Sequence, residues 1–268
     1  MKGRTCAILC SLFVGFVFVA VFFVFSCRSC QRKRSARRLA WKGPEDAGLV
    51  LDQTYISRCA FLGLMSETHR KQVEVLPRYT EFGYLLLKIP PEIKGPLVRE
   101  YFSKRSSSSH ETDAAMVEFS SEDSRPRMTW ITGSSSELIL RAWLKEALSK
   151  WIGDASELEH TSTYGVRSYL RGSKLTPHTD RYMTHVISAI IQIDRVNMKE
   201  DWPLHVLPHR SPQVSSISLS EGENDCLFYE SCTVPHGRLT PLDADEYSNL
   251  FVHFMPRDWK DEAHKLMK

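Results

Sequence analysis

The chain has 268 residues, enough for one substantial domain with an appendage, and its charge is distributed unevenly. With 42% hydrophobic and 25% charged residues, 13 Gly and 13 Pro, its composition excludes a disordered, collagen-like or coiled-coil protein. Residues 1–42 contain nine of the 35 bases and no acid, so residues 43–268 hold 26 bases against 32 acids, a net charge of −6. An acidic body argues against a nucleic-acid-binding domain, which concentrates basic residues on its folded surface.

Residues 7–26 form an uncharged apolar segment, and a helix of this length spans about 30 Å, the thickness of a bilayer core. The segment predicts a single transmembrane anchor. A cleaved signal peptide is the alternative, but its apolar region usually has only ~7–15 residues and is followed by a small-residue cleavage site. Seven bases follow between residues 28 and 42, so the positive-inside rule predicts a single-pass membrane protein whose C-terminal part is cytosolic. The lumen of the endoplasmic reticulum or Golgi is the alternative location.

Changes in composition along the chain predict four regions. An N-terminal region with the anchor occupies residues 1–26, and a basic juxtamembrane tether occupies residues 27–48. A helical and mixed part follows at 49–158, and a β-rich core occupies 159–268.

The region 49–158 contains a strand, a polar loop and a helix. Phe82–Ile89 is typical of a strand and is stopped by two prolines. Lys104–Arg127 is rich in Ser and predicts an exposed loop or insertion, which we expect to cover the mouth of a pocket. Ser134 and Glu137 have the spacing of a helix start, and Gly153 marks its end. Apolar residues at helical spacing lie between them: Leu138, Ile139, Ala142, Trp143, Ala147, Leu148, Trp151 and Ile152.

After Gly153 the apolar periodicity changes from 3.6 to 2. Short β-rich runs separated by turn signals at roughly ten-residue spacing predict an antiparallel sandwich or barrel. The predicted class is therefore mainly β with N-terminal helices, an α+β arrangement. The predicted strands are Tyr164–Leu170, His185–Ile193, Leu204–Leu207, Val214–Leu219, Asp225–Tyr229 and Asn249–Phe254.

One constellation in this region predicts chemistry. His178-Thr-Asp180 is the sole His-x-Asp in the chain, and His236 follows between two predicted strands. Two imidazoles and one carboxylate on one face of a site suit non-haem Fe(II), because they leave three coordination positions open for oxygen and a chelating co-substrate. Zinc accepts the same ligand types.

Residues of about 160–256 resemble, in order and spacing, the 2-oxoglutarate-dependent oxygenases of the prolyl 4-hydroxylase type. The segments that carry the resemblance are Tyr164–Arg181, Val186–Ile191, Trp202–Leu204, Leu227–Ser231, Pro235–Arg238 and Asn249–Phe254. The resemblance implies a double-stranded β-helix (jelly-roll) core with His178, Asp180 and His236 as Fe(II) ligands at its open end. It also implies 2-oxoglutarate and O2 as co-substrates, succinate and CO2 as co-products, and allows for ascorbate as a reductant.

The resemblance further implies a site for 2-oxoglutarate. Tyr169 stands where these hydroxylases commonly place a tyrosine near the co-substrate. They usually hold its distal carboxylate with a Lys or Arg about nine or ten residues after the second histidine, where this chain has Asp245 and Glu246. Arg238, two residues after His236, is the candidate replacement, because its planar guanidinium suits a carboxylate. Arg171 and Arg181 are weaker candidates that also suit solvated loops.

The predicted function is a membrane-anchored Fe(II)- and 2-oxoglutarate-dependent dioxygenase that hydroxylates a C–H bond of a peptide, protein or small molecule, with a prolyl or other side chain as one target class. Its predicted partners are this substrate and, through residues 7–26, a membrane, with no nucleic acid. The alternatives are a non-catalytic jelly-roll that binds a partner at a membrane, favoured by the two acids, and a zinc hydrolase. Four other histidines are predicted to be ordinary surface or core residues: His185, His205, His209 and His253.

Overall fold

The structure is a computed structural model that describes residues 56–153, 156–220 and 224–268. Its helices are α1 Arg58–Gly63, α2 Glu67–Val75, α3 Pro91–Lys104, α4 Ser135–Trp151 and α5 Trp259–Met267. Its strands are β1 Tyr84–Leu87, β2 Ser109–His110, β3 Val117–Glu118, β4 Arg127–Thr129, β5 Leu158–Leu170, β6 Lys174–His178, β7 Ile187–Val196, β8 Leu204–Val206, β9 Ser215–Ile217, β10 Cys226–Tyr229, β11 His236–Arg238 and β12 Glu246–Pro256.

The strands form two antiparallel sheets. The larger has seven strands in the order β1-β10-β7-β12-β5-β4-β2, and the smaller has five in the order β3-β6-β11-β8-β9. Along the chain from β5 to β12, successive strands alternate between the two sheets except at the β8–β9 pair. This alternation places β5-β12-β7-β10 opposite β6-β11-β8-β9, which is the topology of a double-stranded β-helix. The predicted mainly β, jelly-roll core is confirmed by this strand order.

The two faces of the larger sheet bury different sets of side chains, because successive side chains of a strand point in opposite directions. Val166 of β5 and Leu250 of β12 pack under the helices with the buried face of α4. Tyr169 and Tyr247, from the same two strands, lie between the sheets. The space between the sheets is therefore the place where inward side chains of β5, β6, β11 and β12 meet.

The helix α4 begins and ends close to its predicted limits. Its first turn is capped by Ser134, whose hydroxyl accepts a hydrogen bond from Glu137 N–H at 3.2 Å. Of the predicted face, Leu148 and Ile152 are buried and Trp143, Ala147 and Trp151 pack against the core, and Leu140 and Leu144 are buried beside them. Leu138 and Ile139, assigned to that face from the sequence, are 44% and 51% exposed.

The predicted localisation as a single-pass membrane protein is wrong. Among residues 56–153, 156–220 and 224–268, no helix is long and apolar enough to cross a bilayer. The segment at 7–26 on which that prediction depended, the tether at 27–48 and residues 49–55 lie outside the described residues. The proposed division of the chain into four regions stays a prediction.

Candidate metal centre and cofactor pocket

The three predicted metal ligands come together at one end of the smaller sheet. His178 is the last residue of β6 and His236 the first of β11, and the two residues face each other across this antiparallel pair. Asp180 follows two residues after β6, where its backbone N–H donates to Ser231 O at 2.8 Å. One ligand atom from each side chain lies within 4.8 Å of the others.

Backbone carbonyls fix the orientation of both imidazoles. Nδ1–H of His178 donates to Thr176 O at 2.7 Å, and Nδ1–H of His236 donates to Val234 O at 3.0 Å. In the neutral form of each ring the lone pair is therefore on Nε2, and these Nε2 atoms lie 3.5 and 3.7 Å from Oδ1 of Asp180. Histidine ligands of metals commonly have such a hydrogen bond on the ring nitrogen that does not bind the metal. The donor set therefore fits a divalent transition metal.

The electrostatics of the cluster keep two of its ligands, Asp180 and His236, in the protonation states that a metal requires. Burial alone would raise the pKa of Asp180, but its neighbours His178 and His236 hold that pKa well below its usual value. Burial is the main cause that lowers the pKa of His236 to about 4, and the nearby His178 ring adds to the effect. Near neutral pH the site therefore contains an ionised carboxylate beside a neutral His236 imidazole, both able to donate electron pairs.

Two neighbours hold Asp180 in place. The hydroxyl of Tyr229 donates to its Oδ2 at 3.0 Å, and the Gln72 amide donates to its backbone oxygen at 2.8 Å and to Cys232 O at 3.1 Å. Burial and the charge of Asp180 raise the pKa of Tyr229 far above its ordinary value, so this hydroxyl stays a donor. The carboxylate is thus oriented from both its side chain and its backbone.

A cavity of about 930 Å³ opens beside the cluster, large enough for a co-substrate and part of a substrate. Its walls combine apolar side chains from both sheets, including Ile190 and Leu204, with the inward face of β5. Tyr169, predicted to lie near the co-substrate, is on this wall and is 1% exposed. Its ring meets the edge of Trp202 with centroids 5.1 Å apart.

Arg238 also lines this cavity, two residues beyond His236 on β11, and is only 2% exposed. Its guanidinium lies 4.3 and 4.6 Å from the ring centroids of Trp202 and Tyr247. One terminal nitrogen donates to Trp202 O and the other to Asn249 Oδ1 at 3.3 Å. None of its contacts in the described part of the chain is with a carboxylate, so a buried positive charge faces the cavity.

The two acids at the expected position of the basic residue lie outside this cavity. Asp245 is exposed, accepts from Asn197 at 2.5 Å and pairs with Arg171 at 2.9 Å. Glu246 lies on the helix-covered side of β12, where it accepts from Tyr101 at 2.7 Å and pairs with Arg105 at 2.7 Å. The repulsion expected between these acids and a bound carboxylate therefore does not arise.

The weaker candidate anchors have other neighbours. Arg171 is half exposed and pairs with Asp243 and Asp245, away from the cavity. Arg181 lies at the cavity mouth but is 70% exposed and is 3.4 Å from Asp113. Neither supplies a buried, unneutralised charge.

Several cavity residues were not assigned a role from the sequence. His185 and His253 line the cavity with ring centroids 3.8 Å apart, whereas His209 makes structural hydrogen bonds to Thr80 O and Thr233 Oγ1 at 3.2 and 3.1 Å. Arg167 lines the cavity from the same face of β5 as Tyr169. Side chains two residues apart on a strand point to the same face, so the position of Tyr169 could have placed Arg167 on the cavity wall.

Gly237 lets β11 approach β6 closely between two site residues. A Cβ at this position would lie 2.8 Å from Leu175 O and 3.0 Å from Pro177 Cα, and the strand register shifts here.

We expect Gly237→Ala to lower the free energy of unfolding by about 1–3 kcal/mol and to weaken metal binding, because β11 must move away from β6. Chemical denaturation and metal titration measure both effects. Gly63→Ala is the matched control, since nothing lies within 4 Å of its Cβ position, and an equal loss there would contradict the explanation.

Comparison with known proteins gives likeness in structure only. No family model and no curated protein matches the sequence. A prolyl 4-hydroxylase of Pseudomonas putida is similar over 66% of this chain and 93% of its own, with 15% identity and a TM-score of 0.49. A prolyl hydroxylase of Trichoplax adhaerens, solved with a hypoxia inducible factor peptide fragment, is similar over 74% and 94%, with 13% identity and a TM-score of 0.47.

HygX of Streptomyces hygroscopicus, solved with nickel, 2-oxoglutarate and hygromycin B bound, is similar over 66% of this chain and 84% of its own, with 12% identity and a TM-score of 0.46. These proteins are distant. We therefore base the functional proposal on the geometry of the site.

Proposed function

We propose that this protein is an Fe(II)- and 2-oxoglutarate-dependent dioxygenase that hydroxylates an unactivated C–H bond, with a prolyl or other side chain as one target class, and releases succinate and CO2. The observation that carries the proposal is the buried Arg238, which lies two residues beyond His236 on the same strand and faces the cavity next to the His178–Asp180–His236 cluster. A metal site and an unneutralised cation in one pocket suit a co-substrate that chelates metal at one end and has a carboxylate at the other.

The metal would be held by Nε2 of His178, Nε2 of His236 and the carboxylate of Asp180, which are already oriented toward one another. Bound Fe(II), 2-oxoglutarate and O2 would together supply the oxidising power for inserting oxygen into a C–H bond. Thr176 and Val234 would keep both imidazoles in the tautomer that binds metal. Tyr229 would leave Asp180 Oδ1 free by occupying its Oδ2.

The remaining residues would bind the co-substrate and exclude water. Arg238 would hold the distal carboxylate through its planar guanidinium, whose orientation is fixed by the rings of Trp202 and Tyr247. Tyr169 would form the wall beside the carbon chain, since its ring is buried against Trp202. Burial of the Arg238 side chain strengthens the attraction between its guanidinium and a carboxylate.

The test is turnover of 2-oxoglutarate by the purified full chain with Fe(II), ascorbate and O2, with and without candidate substrates. We expect 2-oxoglutarate to bind in a metal-dependent manner and succinate to form slowly even without substrate. Absence of both binding and succinate formation would contradict the proposal. Zinc in the purified protein together with activity in the absence of O2 would instead support a hydrolase.

The non-catalytic binding module loses the observation that favoured it. That alternative depended on Asp245 and Glu246 opposing a bound carboxylate, and both side chains make ion pairs outside the cavity. The oxygenase is therefore the function that the geometry supports best.

A further inference from the structure

Three ring side chains form a second polar cluster on the cavity wall, here called the imidazole cluster. They are Tyr164 of β5, His185 just before β7 and His253 of β12, and all three line the cavity. The imidazole centroids of His185 and His253 are 3.8 Å apart, and the Tyr164 centroid lies 5.6 and 5.7 Å from them. Neither the proposed metal site nor the proposed 2-oxoglutarate site uses these three residues.

A β-bulge turns Tyr164 toward the imidazole cluster. Phe251 and Val252 of β12 pair with Gly165 and Thr163 in turn, which leaves Tyr164 between them without a partner on that strand. The hydroxyl of Thr163 points to the other side of the sheet, where it donates to a carboxylate oxygen of helix α4 at 2.8 Å. Bulges of this kind redirect side chains and are common beside active sites. The extra residue therefore places a tyrosine ring on the cavity side of β5.

A chain of hydrogen bonds fixes the tautomer of His253. The hydroxyl of Ser231 donates to the backbone oxygen of His185 at 2.8 Å, because a carbonyl oxygen can only accept. The hydroxyl of Ser188 lies 2.7 Å from Ser231 Oγ and 2.8 Å from His253 Nδ1. All three contacts contain a proton only if Ser188 donates to Ser231 and accepts from Nδ1–H of His253. The other ring nitrogen, Nε2, therefore has the lone pair and is an acceptor.

The acceptor Nε2 of His253 is available to a ligand. It has no hydrogen-bond partner among the residues that the structure describes, and it is not one of the fully enclosed polar atoms of the protein. Burial is the main cause that lowers the pKa of His253 well below its ordinary value, and the neighbouring His185 ring lowers it further. Near neutral pH the cavity wall therefore presents an uncharged acceptor.

The surroundings of this acceptor select an uncharged donor. The lone pair of Nε2 repels an anionic group, and a cationic group would share the cavity with the metal ion held by the neighbouring cluster. Only 3% of His253 is exposed, so little of the ring can be reached. A hydroxyl lies at the end of its substituent and reaches such an atom more easily than an amide N–H, which is flanked by two carbon atoms.

We infer that His253 is a specificity residue for a hydroxyl group of the substrate, which donates to its Nε2 in the space lined by Tyr164 and His185. The substrate class is then a hydroxyl-bearing compound, and the hydroxyl belongs either to a Ser or Thr side chain of a peptide or to a sugar. The hydrogen bond would satisfy an acceptor that is otherwise unpaired. This inference rests on the proposed function, because it places the substrate beside the proposed iron and 2-oxoglutarate sites.

The test uses pairs of probes that differ by one hydroxyl. Capped Ser-Pro-Ala and Ala-Pro-Ser tripeptides are compared with counterparts in which 2-aminobutyrate, with a methyl group in place of the hydroxyl, replaces serine. Methyl glucoside is compared with its deoxy derivatives. With the full chain, Fe(II) and 2-oxoglutarate, succinate formed above the probe-free background gives KM for each probe. Loss of the hydroxyl is expected to raise KM about fivefold in the wild type, the effect of roughly 1 kcal/mol, and the series that responds identifies the source of the hydroxyl.

Two substitutions of His253 separate the roles of its ring nitrogens. The Asn amide reaches about as far as Nδ1 and keeps a donor for Ser188, whereas the Gln amide oxygen reaches the position of Nε2 and keeps the acceptor. We expect the KM ratio of each responding pair to fall to about 1 in His253→Asn and to stay about fivefold in His253→Gln. Tyr164→Phe is the matched control, because it keeps the ring, removes the neighbouring hydroxyl and should keep the wild-type ratio.

Equal KM values within every probe pair in the wild type, an unchanged ratio in His253→Asn, or an equal loss in Tyr164→Phe would overturn the inference. NMR of the imidazole nitrogens in the Zn(II)-loaded wild type tests the acceptor without a substitution. Nε2 of His253 should be unprotonated and its signal should shift with the hydroxyl probe alone, and a protonated Nε2 would also overturn the inference. Failure of the proposed function is distinguishable, because it would abolish metal-dependent 2-oxoglutarate binding itself.

Discussion

Replacement of His236 by Ala is expected to remove tightly bound iron and to lower succinate formation by about 1000-fold, which corresponds to a loss of roughly 4 kcal/mol. The imidazole supplies one of only three protein ligands, and its Nε2 already faces Asp180 Oδ1 at 3.7 Å. Metal analysis of the purified variant and the succinate assay measure the two effects.

His205→Gln is the matched control for this substitution. His205 lies opposite Gly237 on the neighbouring strand β8, and its neighbours Leu204 and Val206 point between the sheets, so its own side chain faces the other way. We expect this variant to keep its iron and its activity. If His236→Ala retained both iron and turnover, the three residues would not be the metal ligands.

Within residues 159–268, the strands that carry the metal-ligating histidines were the ones that the sequence did not predict. All six strands predicted after Gly153 are present, since each is a run of apolar and β-branched residues. In contrast, β6 and β11 are short and contain Pro177 and Gly237, residue types that are typical of turns. Functional side chains replaced the apolar pattern there, and only pairing with neighbouring strands makes these segments extended.

Distance along the chain was a poor guide to the cation that faces the cavity. Counting residues after His236 led to Asp245 and Glu246, whereas the structure shows that β12 begins at Glu246 with that side chain on its outer face. Which side of a strand a residue occupies depends on register, and a shift of one residue exchanges the two sides. Arg238 was identified from its chemistry and its closeness to His236, while Arg167 required the register of β5.

In the helix α4, too, the sequence predicted the extent of the element better than the side on which each residue lies. Its caps are local, so Ser134 and Gly153 predicted its extent well. Its buried face depends on the tertiary neighbours α3 and β5, and sequence spacing alone placed Leu138 and Ile139 on it in place of Leu140 and Leu144. Sequence therefore predicts the element more reliably than the direction in which it packs.

Replacement of Arg238 by Gln is expected to weaken 2-oxoglutarate binding about 100-fold or more, while Arg238→Lys weakens it about tenfold. Two hydrogen bonds between a guanidinium and a carboxylate contribute about 1.5–3 kcal/mol each, and Lys keeps the charge but loses the planar pair of donors. Gln donates a weaker hydrogen bond to Trp202 O than Arg238 does, so the substitution can lower stability. The affinities are therefore compared at a temperature where the circular dichroism spectra of the variant and the wild type are the same. Calorimetric titration of 2-oxoglutarate into Mn(II)-loaded protein gives the affinities.

Arg171→Gln provides the control, because Arg171 is half exposed and pairs with acids outside the cavity, and we expect it to bind 2-oxoglutarate like the wild type. Metal affinity should be unchanged in Arg238→Gln, because Arg238 makes no hydrogen bond to the three metal ligands. Tyr229, in contrast, donates a hydrogen bond to the ligand Asp180. A loss of 2-oxoglutarate affinity in Arg171→Gln, or full affinity in Arg238→Gln, would assign the anchor to another residue. Arg238→Lys then separates the two properties of the anchor, because an affinity close to that of the wild type would mean that charge alone, without the bidentate geometry, holds the carboxylate.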